Sequence, residues 1–406
     1  MVGQEEPPQL GQIEFPPGFQ DQLIRIRRDI HAHPELGFEE VRTAGLVAEF
    51  LQNLGLAVTS GIGRTGVVGI LRGGRLGKTI AIRSDMDALP IAEENDTPYA
   101  SKEPGKMHAC GHDGHTTMNL GAAMLLAQQQ ESLPGQVKFI FQPAEEIAPG
   151  GAEAMLADGA LEDPSVDAII GLHLTPDLPT GTLRIRPGIM MGLSEEFVIR
   201  IRGKGGHGAR PHQTVDPIYI GAQVVTALQS IVSRNIDPAE PVAVSFGQFH
   251  AGTVFNVIPS TACLNGTVRC LDPDVSNYVK QRLEALIQGI VRSNGGEYEF
   301  NYIPNCPRAL NDPMLTALVQ GVAVDLLGPE SVQPMLHPSL GTEDFCYFSA
   351  RVPGAYFQFG TKNVARGITY PLHGPKFDID EAVLPLGAAL LARIAREFLQ
   401  GRRRNA

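Results

Sequence analysis

The sequence predicts an α/β fold: a mostly parallel central sheet flanked by helices, with a smaller α+β, ferredoxin-like unit inserted into it. Three observations carry this expectation. Apolar runs of strand length alternate with stretches of helical periodicity early in the chain, the pattern of βα units. The texture changes near Arg186-Pro187-Gly188, after which apolar and charged residues alternate singly. It changes back after about Asn305, so the second unit reads as an insertion. These shifts place one domain at residues 1–188 and 304–406 and the inserted one at 189–303.

The elements follow in order. Leu23, Ile26 and Ile30 recur at helical spacing between Gln22 and Ile30. A second helix is expected from Glu39 to Leu54, stopped by Gly55. Gly61-Ile62-Gly63-Arg64-Thr65-Gly66 matches a dinucleotide fingerprint only as a bare pattern, because the apolar run Val67–Leu71 that follows is a strand and not a helix. It reads as a glycine hairpin. Gly77-Lys78-Thr79 likewise precedes a strand and lacks the first glycine of a phosphate loop. The strand from Lys78 to Arg83 delivers Asp85 and Asp87. A helix is expected from Thr116 to Gln129. The buried strand Gln136–Phe141 runs into Gln142-Pro143-Ala144-Glu145-Glu146, and Ala168–Leu172 runs into His173. In the inserted unit, Phe197–Arg202 alternates as a half-exposed strand does. A helix from Ile218 to Ser233, strands Val242–Phe246 and Ala262–Arg269, a helix from Val275 to Val291 and a strand at Tyr298–Phe300 complete a β-α-β-β-α-β order. Ala355–Phe359 then reads as a strand and Leu384–Leu399 as a closing helix.

The chain has 406 residues, 43% of them hydrophobic, enough for two domains with their own cores. A net charge of −11 argues against nucleic acid or an anionic membrane as the main partner. No apolar run is long enough to span a bilayer, and the N-terminal residues Met1–Pro8 lack the regions of a signal peptide. The Arg402-Arg403-Arg404 run reads as a solvated tail. Five cysteines, an odd count without a spacing framework, suit a reducing cytoplasm. Cys263, Cys270, Cys306 and Cys346 read as small buried hydrophobes.

The segment Met107-His108-Ala109-Cys110-Gly111-His112-Asp113-Gly114-His115 concentrates the chemistry. A thiol, three imidazoles and a carboxylate among glycines suit a borderline divalent metal. Taken alone, the segment could also be a polar surface loop. Its context favours the metal: Asp85 and Asp87, Glu145 and Glu146, and His173 each sit at or just past the C-terminal end of an apolar run, where open α/β sheets hold ligands. His373, in a turn-rich setting, could reach the same place. Alternative readings are a helix-terminal acidic pair for Glu145 and Glu146, a strand-end turn for Asp85 and Asp87, and a helix cap for His115.

These residues, in this order, resemble the dinuclear-metal aminoacylase/carboxypeptidase family, in its amidohydrolase branch of hippurate hydrolases, N-acyl-amino-acid amidohydrolases and auxin-conjugate hydrolases. The landmarks run from Arg28–Glu40 through Arg83–Pro90, Cys110 and His112, Gln142–Glu146, Gly203–His207, Asn256–Pro259 and Gly341–Phe345 to His373. The resemblance implies two divalent metals, Mn or Zn first and Co or Ni also admitted, held by Cys110, His112, Glu146, His173 and His373, with Cys110 bridging. It implies that Glu145 is general base and acid, and that Asp87 holds a ligand or Glu145 in place. His207 would stabilise the oxyanion, and Asn256, Arg269, Gly341 and Thr342 would grip the substrate. The inserted unit would be a satellite domain making a homodimer or homotetramer. In related branches a histidine ligand occupies the position of Asp85, so Asp85 is not assigned as a ligand. Gly374 departs from the Asn that many relatives carry. The expected reaction is hydrolysis of an N-acyl amino acid to a carboxylic acid and an amino acid. A carboxypeptidase or dipeptidase with the same site is one alternative, and a non-catalytic binding protein of the same fold is another. His31, His33, His212, His250 and His337 receive no direct role.

Overall fold

The computed structural model describes residues 15–148 and 150–402. The N-terminal stretch considered for a signal peptide, and Arg403 and Arg404 of the basic tail, lie outside the described residues. The chain divides into two compact units, the second consisting of Met191–Ala309 together with Pro338–Glu343.

The first unit opens with helices α1 (Phe19–His31) and α2 (Val41–Asn53), followed by strands β1 (Ala57–Ile62), β2 (Gly66–Arg72) and β3 (Arg75–Asp85). Then come α3 (His112–Ala127), β4 (Pro134–Gln142), α4 (Gly151–Ala157), β5 (Ala168–Pro179) and β6 (Leu183–Ile185). With Val332–Pro334 and Gly354–Lys362 the strands form an eight-stranded sheet in the order β1, β2, β4, β3, β5, Gly354–Lys362, β6, Val332–Pro334. Its middle, from β4 through β3 and β5 to Gly354–Lys362, runs parallel. β1 and β2 pair antiparallel as the glycine hairpin expected there, and Gly77-Lys78-Thr79 lies inside β3.

Parallel strands covered on both faces need continuous apolar runs. Ile80, Ile82, Val137, Phe139, Phe141, Ile170 and Leu172 supply them and are all buried. Each such side chain contributes roughly 1.5–3 kcal/mol through burial. α3 is buried on nearly every side, its exposure limited to the last turns. It packs against the closing helix Val383–Leu399 at glycines: a Cβ on Gly387 would lie 1.9 Å from Met118 Sδ, and one on Gly121 2.7 Å from the Ala388 Cβ.

Two boundaries depart from expectation in ways that matter. α3 begins at His112 and not at Thr116, because Gly111 adopts a left-handed φ of 86° and starts the helix without a Ser, Thr or Asp cap. His112, Asp113 and His115 therefore occupy a first helical turn. β5 continues past Leu172 to Pro179, because its outer half still pairs with Gly354–Lys362 at His173–Gln358 and Thr175–Gly360.

The second unit is a four-stranded antiparallel sheet in the order Val242–Ala251, Thr261–Cys270, Leu193–Arg202, Glu297–Cys306. Phe197, Ile199 and Ile201 alternate with exposed Glu196, Arg200 and Arg202, so one face is apolar. Helices Pro217–Arg234 and Pro273–Ser293 share a core with that face through Ile220, Val224, Leu228, Val279, Leu283 and Ile287. Asp216 and Asp272 cap them, each followed by a proline at the first helical position. Among the described residues no helix is long and apolar enough to cross a membrane.

Candidate functional site

The C-terminal ends of β3, β4 and β5 and the first turn of α3 converge in the first unit. Cys110 Sγ lies 3.3 Å from His173 Nε2, and His373 Nε2 lies 3.2 Å from Glu146 Oε1. His112 Nε2 stands 4.0 Å from the same Glu146 oxygen. Two sets of donor atoms, Cys110/His112/His173 and Cys110/Glu146/His373, each gather within 4.8 Å and share the thiol. Glu145 joins His112 and Glu146 in a third such set. All five residues expected to bind metal are thus brought together, with Glu145 beside them.

The histidine tautomers are fixed by partners that can only accept. His112 donates from Nδ1 to Asp87 Oδ1 at 3.1 Å, and His173 donates from Nδ1 to the Leu174 carbonyl at 2.6 Å. His173 therefore turns an unprotonated Nε2 toward the cluster, and in His112 it is Nε2 and not Nδ1 that would give up its proton to a cation. Asp87 does more than orient a ring: its other oxygen accepts the Glu146 backbone N–H at 3.0 Å. It holds two of the candidate ligands in place.

Burial is graded across the cluster. His112 is inaccessible and Cys110 nearly so, while the His373 side chain is 53% exposed. Burial pushes the Cys110 thiol well above its ordinary pKa, with Glu146 and Glu145 adding to the rise against the pull of His112. Burial also opposes a charge on His112, but Asp85, Cys110 and Asp87 together hold its pKa well above the usual value. Burial and the neighbouring His115 push His173 down to about 3. Burial would raise the Glu146 carboxyl, yet the hydrogen bond from His373 and the charge of His112 bring it below its ordinary range. A buried thiol that resists ionisation among histidines and carboxylates is the environment a cation would relieve.

Two non-glycine residues at the site have left-handed backbones, Ala144 with φ 51° and His373 with φ 61°. Such conformations persist only where their surroundings enforce them. The Ala144 N–H donates to Glu40 Oε1 at 2.8 Å, and Glu40 is itself held by the Thr65 hydroxyl. The His373 N–H donates to the Ala109 carbonyl at 2.8 Å, tying this candidate ligand to the segment that carries Cys110. Sequence reading did not single out Glu40, although it closes the Arg28–Glu40 landmark. Nor did it give His31 a role: His31 and the fully buried Arg27 both contact Asp113 Oδ2, at 2.8 and 2.7 Å, beneath the first turn of α3.

The remaining expected residues, His207, Asn256, Arg269, Gly341 and Thr342, belong to the second unit. His207 and Asn256 are neighbours there, since His207 pairs with Val257 and the Gly208 N–H donates to the Asn256 carbonyl. His207 Nδ1 accepts the Ala209 N–H at 3.0 Å, so its proton sits on Nε2. Arg269 is half-buried, contacts the hydroxyls of Ser194 and Thr267, and has no carboxylate partner among the described residues. The Gly341 N–H is already donated to Ser339 Oγ at 2.9 Å. Of the two residues of this segment expected to grip the substrate, Gly341 thus has its N–H engaged.

The sequence profile of Peptidase family M20/M25/M40 matches residues 81–397. An N-acyl-L-amino acid amidohydrolase of Geobacillus stearothermophilus is 50% identical over 280 residues, 69% of this chain and 75% of the relative. Thermostable carboxypeptidase 1 of Saccharolobus solfataricus is 41% identical over 93% of this chain and 96% of its own length. Among solved structures, a dinuclear metal binding peptidase from Bacillus subtilis is 36% identical, with a TM-score of 0.81 over 94% of this chain and 99% of that one.

Proposed function

The chain belongs to Peptidase family M20/M25/M40, and from that membership we propose that it hydrolyses the amide bond of N-acyl amino acids, releasing a carboxylic acid and an amino acid. The observation that carries the reading is the pair of donor sets sharing Cys110 with Glu145 alongside. The residues fit a pair of divalent cations. His112 Nε2 and Glu146 Oε1 are buried and meet only other candidate ligands, and the thiol, imidazole and carboxylate donors match a borderline metal. Cys110, His112, Glu146, His173 and His373 would hold the two ions, Mn or Zn first, with Co or Ni also suited to the mixed shell. When bound, they polarise the scissile carbonyl and lower the pKa of the attacking water.

The protein's own groups do the rest. Glu145, half-buried and outside the ligand set, takes the proton of the attacking water and returns it to the amine nitrogen as the C–N bond breaks. Asp87 keeps a proton on Nδ1 of His112, so that Nε2 is the nitrogen left for a metal. For His207 we propose the donor to the developing oxyanion, since its proton sits on Nε2. For Arg269, with Asn256 and Thr342, we propose recognition of the substrate carboxylate, because the guanidinium has no carboxylate of its own. A homodimer or homotetramer assembled through the second unit is part of the proposal, as is a cytoplasmic setting that keeps Cys110 reduced.

The test is release of free amino acid from acetyl-, benzoyl- and indole-acetyl-amino acids after chelation and after return of Mn or Zn. Metal-restored turnover is expected, and the preferred acyl group defines the substrate class. Glu145→Gln should keep its metal and lose turnover by roughly 10²–10⁴-fold. Near-normal rates would remove Glu145 as the base. The 41% identity to a carboxypeptidase supports a second reading, and turnover of dipeptides in preference to acylated amino acids would favour it.

A further inference from the structure

We infer that His115, held by Asp85 and Arg83, is a positioning residue that sets the ring of His173 for metal and is not itself a ligand. This rests on the metal-centre reading above. His115 is buried in the first turn of α3, close enough to the candidate ligands to be mistaken for one: Asp85, His112 and His115 form a donor set of their own. Its hydrogen bonds exclude that role. Nε2 accepts the Leu174 backbone N–H at 2.8 Å, and since an amide N–H can only donate, the proton of the ring is on Nδ1. Nδ1 in turn meets Asp85 Oδ1 at 2.6 Å. Both nitrogens are occupied. Asp85 is equally committed, with its second oxygen 2.8 Å from Arg83 Nη1. Arg83 is fully buried and also reaches Gln142 and Asp344, so the far end of the chain of contacts is anchored in the sheet.

The reason for this arrangement lies in the strand register. β3 pairs with β5 only as far as Arg83 and Gly171. Beyond that point β5 continues alone on that side, and the Leu174 N–H has no strand to donate to. His115 takes the place of the missing strand. It fixes the peptide next to His173 at the peptide's N–H, while His173 Nδ1 grips the same residue at its carbonyl. The His115 ring also packs edge-on against the His173 ring, with centroids 4.8 Å apart. The His173 ring is thereby held on two sides, leaving one orientation, in which Nε2 faces Cys110 Sγ.

The test is anaerobic titration of the metal-free full-length protein with Co(II). The thiolate charge-transfer band reports Cys110 and the d–d bands report coordination geometry. In His115→Ala one of two cobalt equivalents should bind about 10–100-fold more weakly with displaced d–d bands, the size typical for loss of a group that orients a ligand. His115→Gln can still donate to Asp85 and accept from Leu174, and should recover most of the affinity. Asp85→Asn should shift in the same direction as His115→Ala, and it carries the test if the alanine variant does not fold by circular dichroism. An unchanged spectrum and affinity in His115→Ala, or in Asp85→Asn where the alanine variant fails to fold, would overturn the inference. So would complete loss of one cobalt equivalent in both His115 variants but not in Asp85→Asn, which would make His115 a ligand. A parent protein that binds no cobalt would overturn the metal-centre reading and this inference with it, whereas an unchanged variant beside a normal parent overturns this inference alone.

Discussion

Asp87→Asn is the sharpest perturbation of the proposed centre, because it changes one atom's chemistry and almost no volume. The carboxylate accepts twice, from His112 Nδ1 at 3.1 Å and from the Glu146 N–H at 3.0 Å. A carboxamide has one accepting oxygen. Whichever way it turns, its NH₂ group faces one of two donors. If the oxygen stays with the Glu146 N–H, the amide hydrogens oppose His112 Nδ1–H, and the imidazole escapes by moving its proton to Nε2. That nitrogen is then blocked for metal. If the oxygen stays with His112, the half-buried Glu146 N–H loses its partner. Loss of such an orienting carboxylate weakens metal affinity about 10–100-fold, which is about 1.4–2.7 kcal/mol. The assay is metal binding in chelator-buffered solution, with kcat and KM measured at each free-metal concentration. Activity should return at high metal, because Glu145 is untouched. Metal affinity within about twofold of the parent would refute the tautomer argument. Normal affinity with lost turnover would instead place Asp87 in contact with the reacting atoms.

Other expectations follow from contacts farther out. Glu40→Ala frees the Ala144 N–H that sets the backbone before Glu145, so kcat should fall about tenfold or more with little change in KM, consistent with a misplaced general base. Glu40→Gln, which can still accept, should recover most of it. Arg27→Met leaves Asp113 buried without its closest cation and should cost about 3–5 kcal/mol in denaturant unfolding; a loss under about 1 kcal/mol would show that the network is already compensated. Burial alone would raise the Asp378 carboxyl, but Arg27 and the Tyr99 hydroxyl hold it below its ordinary range. A carboxylate with a folded pKa below its unfolded value of about 3.9 stabilises the fold above that pH, and stops doing so as pH falls through the folded value. The melting temperature should therefore decline below about pH 4, and more shallowly in Asp378→Asn.

The α/β plan was readable because strands buried on both faces must be apolar runs, and those at Ile80, Phe139 and Ile170 are unbroken. Cys110 and His112 could be named because a thiol and imidazoles crowd one short glycine-bearing segment, and Glu145, Glu146 and His173 because each is costly to bury and follows an apolar run. Of the supporting residues only Asp87 was assigned, through the family resemblance. Asp85 acquires meaning only from His115, 30 positions on, and Arg27 from Asp113 and from Asp378, 351 positions away. No local pattern marks such pairs. The early start of α3 was hidden for a different reason: Gly111 begins it by backbone conformation and leaves no capping side chain to recognise. Glu40 looked like the end of a motif because its partner is a main-chain N–H, which any residue at 144 other than proline would supply.

The graded burial of the five candidate ligands gives the centre a front and a back. His112 and Cys110 lie at the closed end, while His373 stands more than half in solvent on a turn. Ions entering or leaving would use the His373 side, and the two positions would differ in lifetime. The pocket would hold one ion almost as a structural part of the fold and the other as an exchangeable guest. Supply of metal in the medium would then act as a dial on activity, while the protein itself stays folded throughout.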